Sequence, residues 1–402
     1  MDVSRKNFFI GSAATIAAMG LKAADKTPAP KIQGFNESIE MKLEGEWQPY
    51  SDKKVRVGIA GNGVCGFGAQ FMFEMHPNVE VVACTDLFPD RCKRLQERVR
   101  AKRTYPSCEE MIDKEKEMDA VFIATDAPSH IDLALRALDR GFHVASAVPA
   151  LFGDGQLDRV PKLLEAVRKS RLVYAMFETT AFRPQCFAMR NIYEAGGFGE
   201  LIYTEGEYFH YFGEKGIGSY KGWRDALPPQ WYPTHSNGFY TCTTHKGFTE
   251  VTCLGKPSIL SPYKDAKNRY GNPFGSEFAI FRTAEGGTAR MLVAWDLPNV
   301  GGEIGRCYGQ KGQFSRDRYA GDNSLVKNVK MYRTFLPPGV KNNGHHGGSH
   351  PYLTDDFVRA ILTKGKPCVD VKTALDTTVG GIYAHMSAMK GGETLKIPDF
   401  SI

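Results

Sequence analysis

Apolar positions in the first half of the chain fall in short runs, separated by segments with a helical beat. Residues 54–60 form a β-branched run, residues 79–84 a second, and residues 120–125 a third that is apolar throughout. The third, continuous run suits a strand of a parallel sheet covered on both faces. Residues 68–76 predict a helix, as do residues 129–140, which stop at Gly141, and residues 158–170. Strands are expected at 143–146 and 172–176. This alternation predicts an α/β architecture with a doubly wound parallel sheet. Further on, residues 204–210 alternate as a strand, placing Tyr208 and His210 on one face. Residues 232–238 read as the opening of a helix, 308–312 as a hairpin turn, and 352–362 as a helix. The pattern divides the chain into a dinucleotide-binding domain at 50–176 and a second domain at 177–402.

The first residues follow a different pattern. Ser4-Arg5-Lys6-Asn7-Phe8-Phe9-Ile10 precedes a small, apolar run up to Leu21, too short to span a bilayer. It resembles a twin-arginine export signal with Lys6 at the second arginine, so residues 1–30 are expected to be a leader and the start of a linker. A periplasmic location follows; a general secretory signal and a cytoplasmic protein are the alternatives. Residues 24–52, rich in Lys, Pro and Glu, read as a connector. The 402 residues include nine cysteines without any C-x-x-C pair, so neither a disulfide framework nor a zinc knuckle is expected. The net charge of +6 is mild and scattered, which argues against nucleic acid as a partner. No integral membrane span is expected.

Candidate chemistry begins right after the first strand. Gly61-Asn62-Gly63-Val64-Cys65-Gly66 gives a tight turn, a close approach for a pyrophosphate, and room for the next segment to pack on the strand. The second strand ends at Asp86, where a carboxylate can accept from both ribose hydroxyls and repel a 2′-phosphate. NAD is therefore expected over NADP, although Arg91 is near.

The order of this motif, then Ala124-Thr125-Asp126-Ala127-Pro128-Ser129-His130, then Gly141-Phe142-His143-Val144 before Pro149, resembles the Gfo/Idh/MocA oxidoreductase family. The resemblance implies a C-terminal α/β domain with a large, mostly antiparallel sheet and a tendency to homo-oligomers. It also implies that Thr125, His130, Val148 and Pro149 lie along the cofactor. One departure matters. Where the family usually carries Glu-Lys-Pro, this chain reads Ala147-Val148-Pro149, and valine can neither donate a proton nor hold charge. Tyr208-Phe209-His210 and Tyr232-Pro233-Thr234-His235 resemble the NAD-dependent α-N-acetylgalactosaminidase-like branch, which implies His235, Tyr208 and His210 as the acid–base set. Glu178 and Arg183 are candidates to line the cleft. Trp223, Arg224 and Tyr232 are candidates for sugar contacts, with packing as the other reading for Trp223. Residues 344–350 hold three histidines but no acid at metal spacing, so the segment reads as a substrate-facing loop rather than a metal site.

Histidine titrates near working pH, and tyrosine acts once a neighbour stabilises its phenolate. These residues fit transient oxidation of a sugar hydroxyl, elimination of the aglycone, hydration and re-reduction, a recognised exception to paired-carboxylate glycosidases. The alternatives are a net NAD-dependent sugar or polyol dehydrogenase and a nucleotide-binding protein whose catalysis has decayed. Export favours the redox-neutral route, because a retained cofactor needs no external pool.

Overall fold

The computed structural model describes residues 42–400 apart from 64, 65, 215, 300 and 343. The expected leader lies outside the described residues. Six strands form the first sheet: β1 (Val55–Ala60), β2 (Val79–Thr85), β3 (Arg103–Tyr105), β4 (Ala120–Ile123), β5 (His143–Ser146) and β6 (Tyr174–Met176). Their order is β3-β2-β1-β4-β5-β6 with every pair parallel, the dinucleotide-binding arrangement whose crevice opens at the carboxyl ends of β1 and β4. The second sheet holds β7 (Leu201–Phe209), β8 (Phe248–Pro257), β9 (Phe274–Thr283), β10 (Thr288–Ala294), β11 (Gly302–Gly309), β12 (Gly312–Ser315), β13 (Arg318–Gly321) and β14 (Leu395–Lys396). Its order is β13-β12-β11-β7-β10-β9-β8-β14, antiparallel except for the β7–β10 pair. The α/β doubly wound sheet plus a large, mostly antiparallel one is thus the observed architecture. β11 and β12 form the expected hairpin.

Helices His130–Asp139, Val160–Ser170, Thr234–Thr244 and His350–Thr363 lie where the periodicity placed them, within a few residues. The helix expected over 68–76 does not form. Two short 3-10 turns, Phe67–Ala69 and Phe73–Met75, stand there, and Met72 between them has φ +58°. The cause is the aromatic spacing. Phe71 and Phe73 are fully buried against Phe122 and Phe177, with centroids 4.9–5.8 Å apart, and one helical face cannot present both rings to that cluster.

The connector expected over 24–52 is not free along its described part. Trp47 Nε1 and Tyr50 Oη donate to the carboxylate of Asp355 at 2.8 and 2.7 Å, and Leu43 bridges Arg333. Two half-buried rings bonded to one carboxylate tie residues 42–50 onto the body. The described cysteines are free thiols. Among the described residues no helix is long and apolar enough to cross a membrane.

Phe177, just beyond β6, touches Phe71, Phe73, Phe122 and Phe357 and is 1% exposed. Phe177→Ala should cost about 3–5 kcal/mol of stability in chemical denaturation, because the surrounding rings can only partly close the cavity.

Candidate functional site

The turn after β1 is left-handed at Gly61, Gly63 and Gly66 (φ +95°, +66° and +73°). A Cβ at Gly61 would lie 2.3 Å from the Ala124 carbonyl oxygen, so only glycine lets β1 and β4 close beneath the crevice. Asp86 caps this turn: its Oδ2 accepts from the backbone N–H of Asn62 at 2.9 Å and of Gly63 at 3.3 Å, and its Oδ1 accepts from Phe88 N–H. The carboxylate thus stands at the end of β2 beside the amides, as ribose recognition requires. The turn leads into the 3-10 turn Phe67–Ala69 and not into a full helix, so no long helix dipole is aimed at the crevice. Val64 and Cys65 lie outside the described residues.

The loops after β4 and β5 are tied by His130. Its ring lies between the carbonyls of Pro149 (2.9 Å) and Thr125 (3.3 Å), and burial holds its pKa below the ordinary value. His130 therefore holds the crevice wall in shape, while the Thr125 hydroxyl pairs with Ser129. Val148 is 5% exposed and Pro149 is buried.

The second cluster gathers on the inner face of the second sheet. Helix Thr234–Thr244 is buried at every residue, which brings His235 into the interior at its first turn. His235 Nδ1 is 2.8 Å from Glu178 Oε1. Glu178 also accepts from Thr180 N–H at 2.7 Å and is fully buried, so it stands behind His235 and does not line a cleft as expected. Burial alone would lower the His235 pKa, but the charges of Glu178 and Glu303 raise it. Burial would raise the Glu178 pKa, yet the charge and hydrogen bond of His235 bring it below the usual carboxylate range. Each member of the pair therefore favours the charged form of the other.

Tyr208 lies edge-on to His235, with centroids 4.8 Å apart, and its hydroxyl is 3.1 Å from His210 Nδ1. The expected Tyr-x-His face is thus real. Burial, then Arg224, His346 and His235, drive the His210 pKa down to about 3, so His210 stays neutral. Burial, with Tyr232 and Glu303, holds the Tyr208 phenol well above its ordinary pKa. Arg224 stacks over Trp223 (4.2 Å) and Tyr232 (5.3 Å). Trp223 is only 7% exposed, which makes it the floor beneath Arg224.

Arg183 is directed at Glu303, its Nε donating to Oε2 at 2.5 Å, and His346 Nδ1 is 3.1 Å from the other oxygen. The charges of Arg183 and His235, together with the His346 hydrogen bond, overcome burial and hold Glu303 well below its usual pKa. Glu303 and His346 escaped the sequence reading as site residues. The acid that segment 344–350 lacked comes from the head of β11, with no local motif to mark it. His346 carries one signal, its place in a glycine-rich run.

The profile described as an oxidoreductase family with an NAD-binding Rossmann fold, Gfo/Idh/MocA, matches residues 55–177. A glycosyl hydrolase family 109 protein of Bacteroides thetaiotaomicron is 32% identical over 368 residues, covering 82% of this chain and 73% of that protein. A family 109 protein of Streptomyces niveus is 23% identical, covering 94% and 82%. Among solved structures, levoglucosan dehydrogenase in complex with NADH superposes with a TM-score of 0.68 at 14% identity, covering 87% of this chain and all of that one. Scyllo-inositol dehydrogenase from Lactobacillus casei gives 0.65 at 12%, covering 86% and 99%. The glycine turn and Asp86 fit the dinucleotide. Asp86→Ala should weaken NAD binding by about 1.5–3 kcal/mol, roughly 10–100-fold in Kd by calorimetry, and narrow the preference over NADP. Motif, fold and kinship agree: the chain belongs to the Gfo/Idh/MocA oxidoreductase family, in its glycosyl hydrolase family 109 branch, and is an NAD-dependent enzyme.

Proposed function

We propose that this enzyme cleaves a carbohydrate glycoside by a redox-neutral route. The observation that carries the reading is the state of the two buried carboxylates. Glu178 is committed to His235, and Glu303 to Arg183 and His346, so neither is placed as the acid or nucleophile of a direct glycosidase. Proton handling falls to His235 and to the Tyr208–His210 pair.

NAD held by the glycine turn and Asp86 supplies a reversible hydride acceptor for a sugar carbon. The chain's own residues move the protons. The sugar hydroxyl on that carbon must give up its proton, and the neighbouring C–H, made acidic by the resulting ketone, must give up another as the C1–O bond breaks. The departing alcohol oxygen takes a proton. Water then adds across the double bond, its oxygen to C1 and a proton to the neighbouring carbon, and the returned hydride with a further proton would restore the ketone to the hydroxyl. The balance is glycoside plus water giving free sugar plus alcohol, with no net oxidation. His235, whose hold on a proton Glu178 strengthens, suits the donor role to the leaving oxygen. His210, through its bond to the Tyr208 hydroxyl, suits the acceptor role by position. Arg224 and Tyr232 offer a guanidinium and a phenol for sugar hydroxyls.

Two further readings go with this one. Export by the leader at residues 1–30 favours an enzyme that returns its hydride, and cell fractionation tests it. Outward-facing Phe278, Ile280 and Ile304 on the second sheet favour a homo-oligomer, which sedimentation tests.

Glycosides incubated with the NAD-loaded enzyme and no added cofactor should release sugar, with deuterium from heavy water entering C2. Steady NADH accumulation on free sugars, without glycoside cleavage, would overturn the proposal in favour of a net dehydrogenase. His235→Ala should lower turnover by about two orders of magnitude or more. Glu178→Gln removes the charge that raises the His235 pKa. His235 then loses its proton at lower pH, and the alkaline limb of the pH–rate profile should move toward lower pH. An unmoved limb removes Glu178 from that positioning role.

A further inference from the structure

Three side chains of this cluster, His235 among them, make a set that the proposed hydrolysis does not use as a unit. His235, Glu303 and His346 each offer one ligand atom, and the three atoms lie within 4.8 Å of one another. They come from separate segments: the first turn of helix Thr234–Thr244, the head of β11, and the loop after Gly344. Two imidazoles and a carboxylate are a donor set that first-row divalent ions take while keeping coordination positions open. All three residues are buried.

The surroundings support the set. Glu178 accepts from His235 Nδ1 at 2.8 Å, the carboxylate–imidazole pairing that orients metal-binding histidines. Arg183 holds Glu303 by Oε2, so that Oε1 faces His346. Thr179 Oγ1 lies 3.4 Å from Nδ1 of both His235 and His346. His346 has φ +47°, a left-handed conformation costly for a residue with a Cβ and one that persists where the surroundings impose it. Gly344, Gly347 and Gly348 flank it, so the loop can draw in by the ångström or so needed to bring the ligand atoms to about 3.4 Å, the spacing that metal–nitrogen bonds of about 2.1 Å demand. With neutral imidazoles, the two carboxylates outweigh Arg183 by one negative charge, which a divalent cation would overcompensate by one, leaving room for one anionic oxygen ligand.

We propose that His235, Glu303 and His346 bind one divalent cation of the zinc type. Bound there, the ion occupies His235 and withdraws it from proton transfer, so that it reversibly inhibits the hydrolysis proposed above; only this inhibitory half rests on that reading.

The test titrates chelator-stripped, NAD-loaded enzyme with Zn²⁺ by calorimetry, and with Co²⁺ followed by its visible absorption. One ion per chain with a Kd of about 1 μM or lower is expected. His346→Ala and Glu303→Gln should each weaken binding by about 100-fold or more, and Glu178→Gln by about tenfold. His346→Gln, closer in volume, serves if the alanine variant melts early. No saturable binding near one ion per chain, or binding in the His346 variants equal to that of the parent, overturns the site. Saturating Zn²⁺ should abolish glycoside cleavage and a chelator restore it; full activity with the ion bound overturns the inhibitory half. Binding is read without substrate, so cleavage without ion binding refutes the metal site alone, and ion binding without cleavage refutes the hydrolase reading alone.

Discussion

The contact on which the rest depends is the near-touching of helix Thr234–Thr244 and the second sheet. A Cβ at Gly206 in β7 would lie 2.1 Å from the Ser236 carbonyl oxygen, so the helix rests on bare backbone at that point. Nothing larger than glycine fits without moving the helix away. On its other side the helix is pinned by Asn237 Nδ2 donating to the Thr377 carbonyl and by the Thr241–Thr377 hydroxyl pair on helix Val371–Met389. A helix buried on all sides has no solvent-facing stripe to slide along, and its register is fixed by these contacts. That register decides where His235 sits. From there the Tyr208 ring on β7 is within 4.8 Å, and the Glu178 carboxylate, just past β6, is within hydrogen-bonding distance.

Charge is the second constraint. Burying Glu178 and Glu303 unpaired would cost several kcal/mol each, so each must carry its own counter-group. The sequence supplies these from far away: His235 lies 57 residues from Glu178, and Arg183 lies 120 residues from Glu303. The outcome is an imidazole at His235 whose hold on a proton is strengthened and a neutral one at His210, close together in one interior. Two groups whose surroundings push their proton affinities in opposite directions are what an acid and a base working in one pocket need.

What the sequence disclosed and what it hid follow from this. The glycine turn and Asp86 were legible because a strand, a turn and a second strand are local patterns, and β1 and β2 are adjacent in the chain. Tyr208 and His210 were legible because alternation along a strand is a local rule too. The helix over 68–76 was misread because its apolar spacing allows a helix, and only the tertiary packing of Phe71 and Phe73 on Phe122 and Phe177 rejects it. Glu303 was hidden for another reason. It stands at the head of β11 after two glycines, and what draws it into the cluster is a guanidinium and an imidazole reached through the fold. Glu178 was found but misjudged. Sequence can put a carboxylate near a cleft, whereas its being fully buried behind His235 is a fact of packing.

The valine at position 148 takes its meaning from this arrangement. In a family member with lysine there, one side chain on the cofactor-binding sheet handles the proton beside the nicotinamide. Here that position is buried and apolar, and His130 ties the adjacent Pro149 carbonyl to the loop after β4. The first sheet is left to hold the dinucleotide, while the groups able to carry protons come from the second sheet and the helix laid on it. Separating the two tasks suits a reaction with several proton transfers at different sugar positions better than one with a single hydroxyl to deprotonate. A lone lysine can serve a dehydrogenase. In the proposed route, an elimination and a hydration between two hydride transfers need a donor and an acceptor at once, the roles we assign to His235 and to the Tyr208–His210 pair.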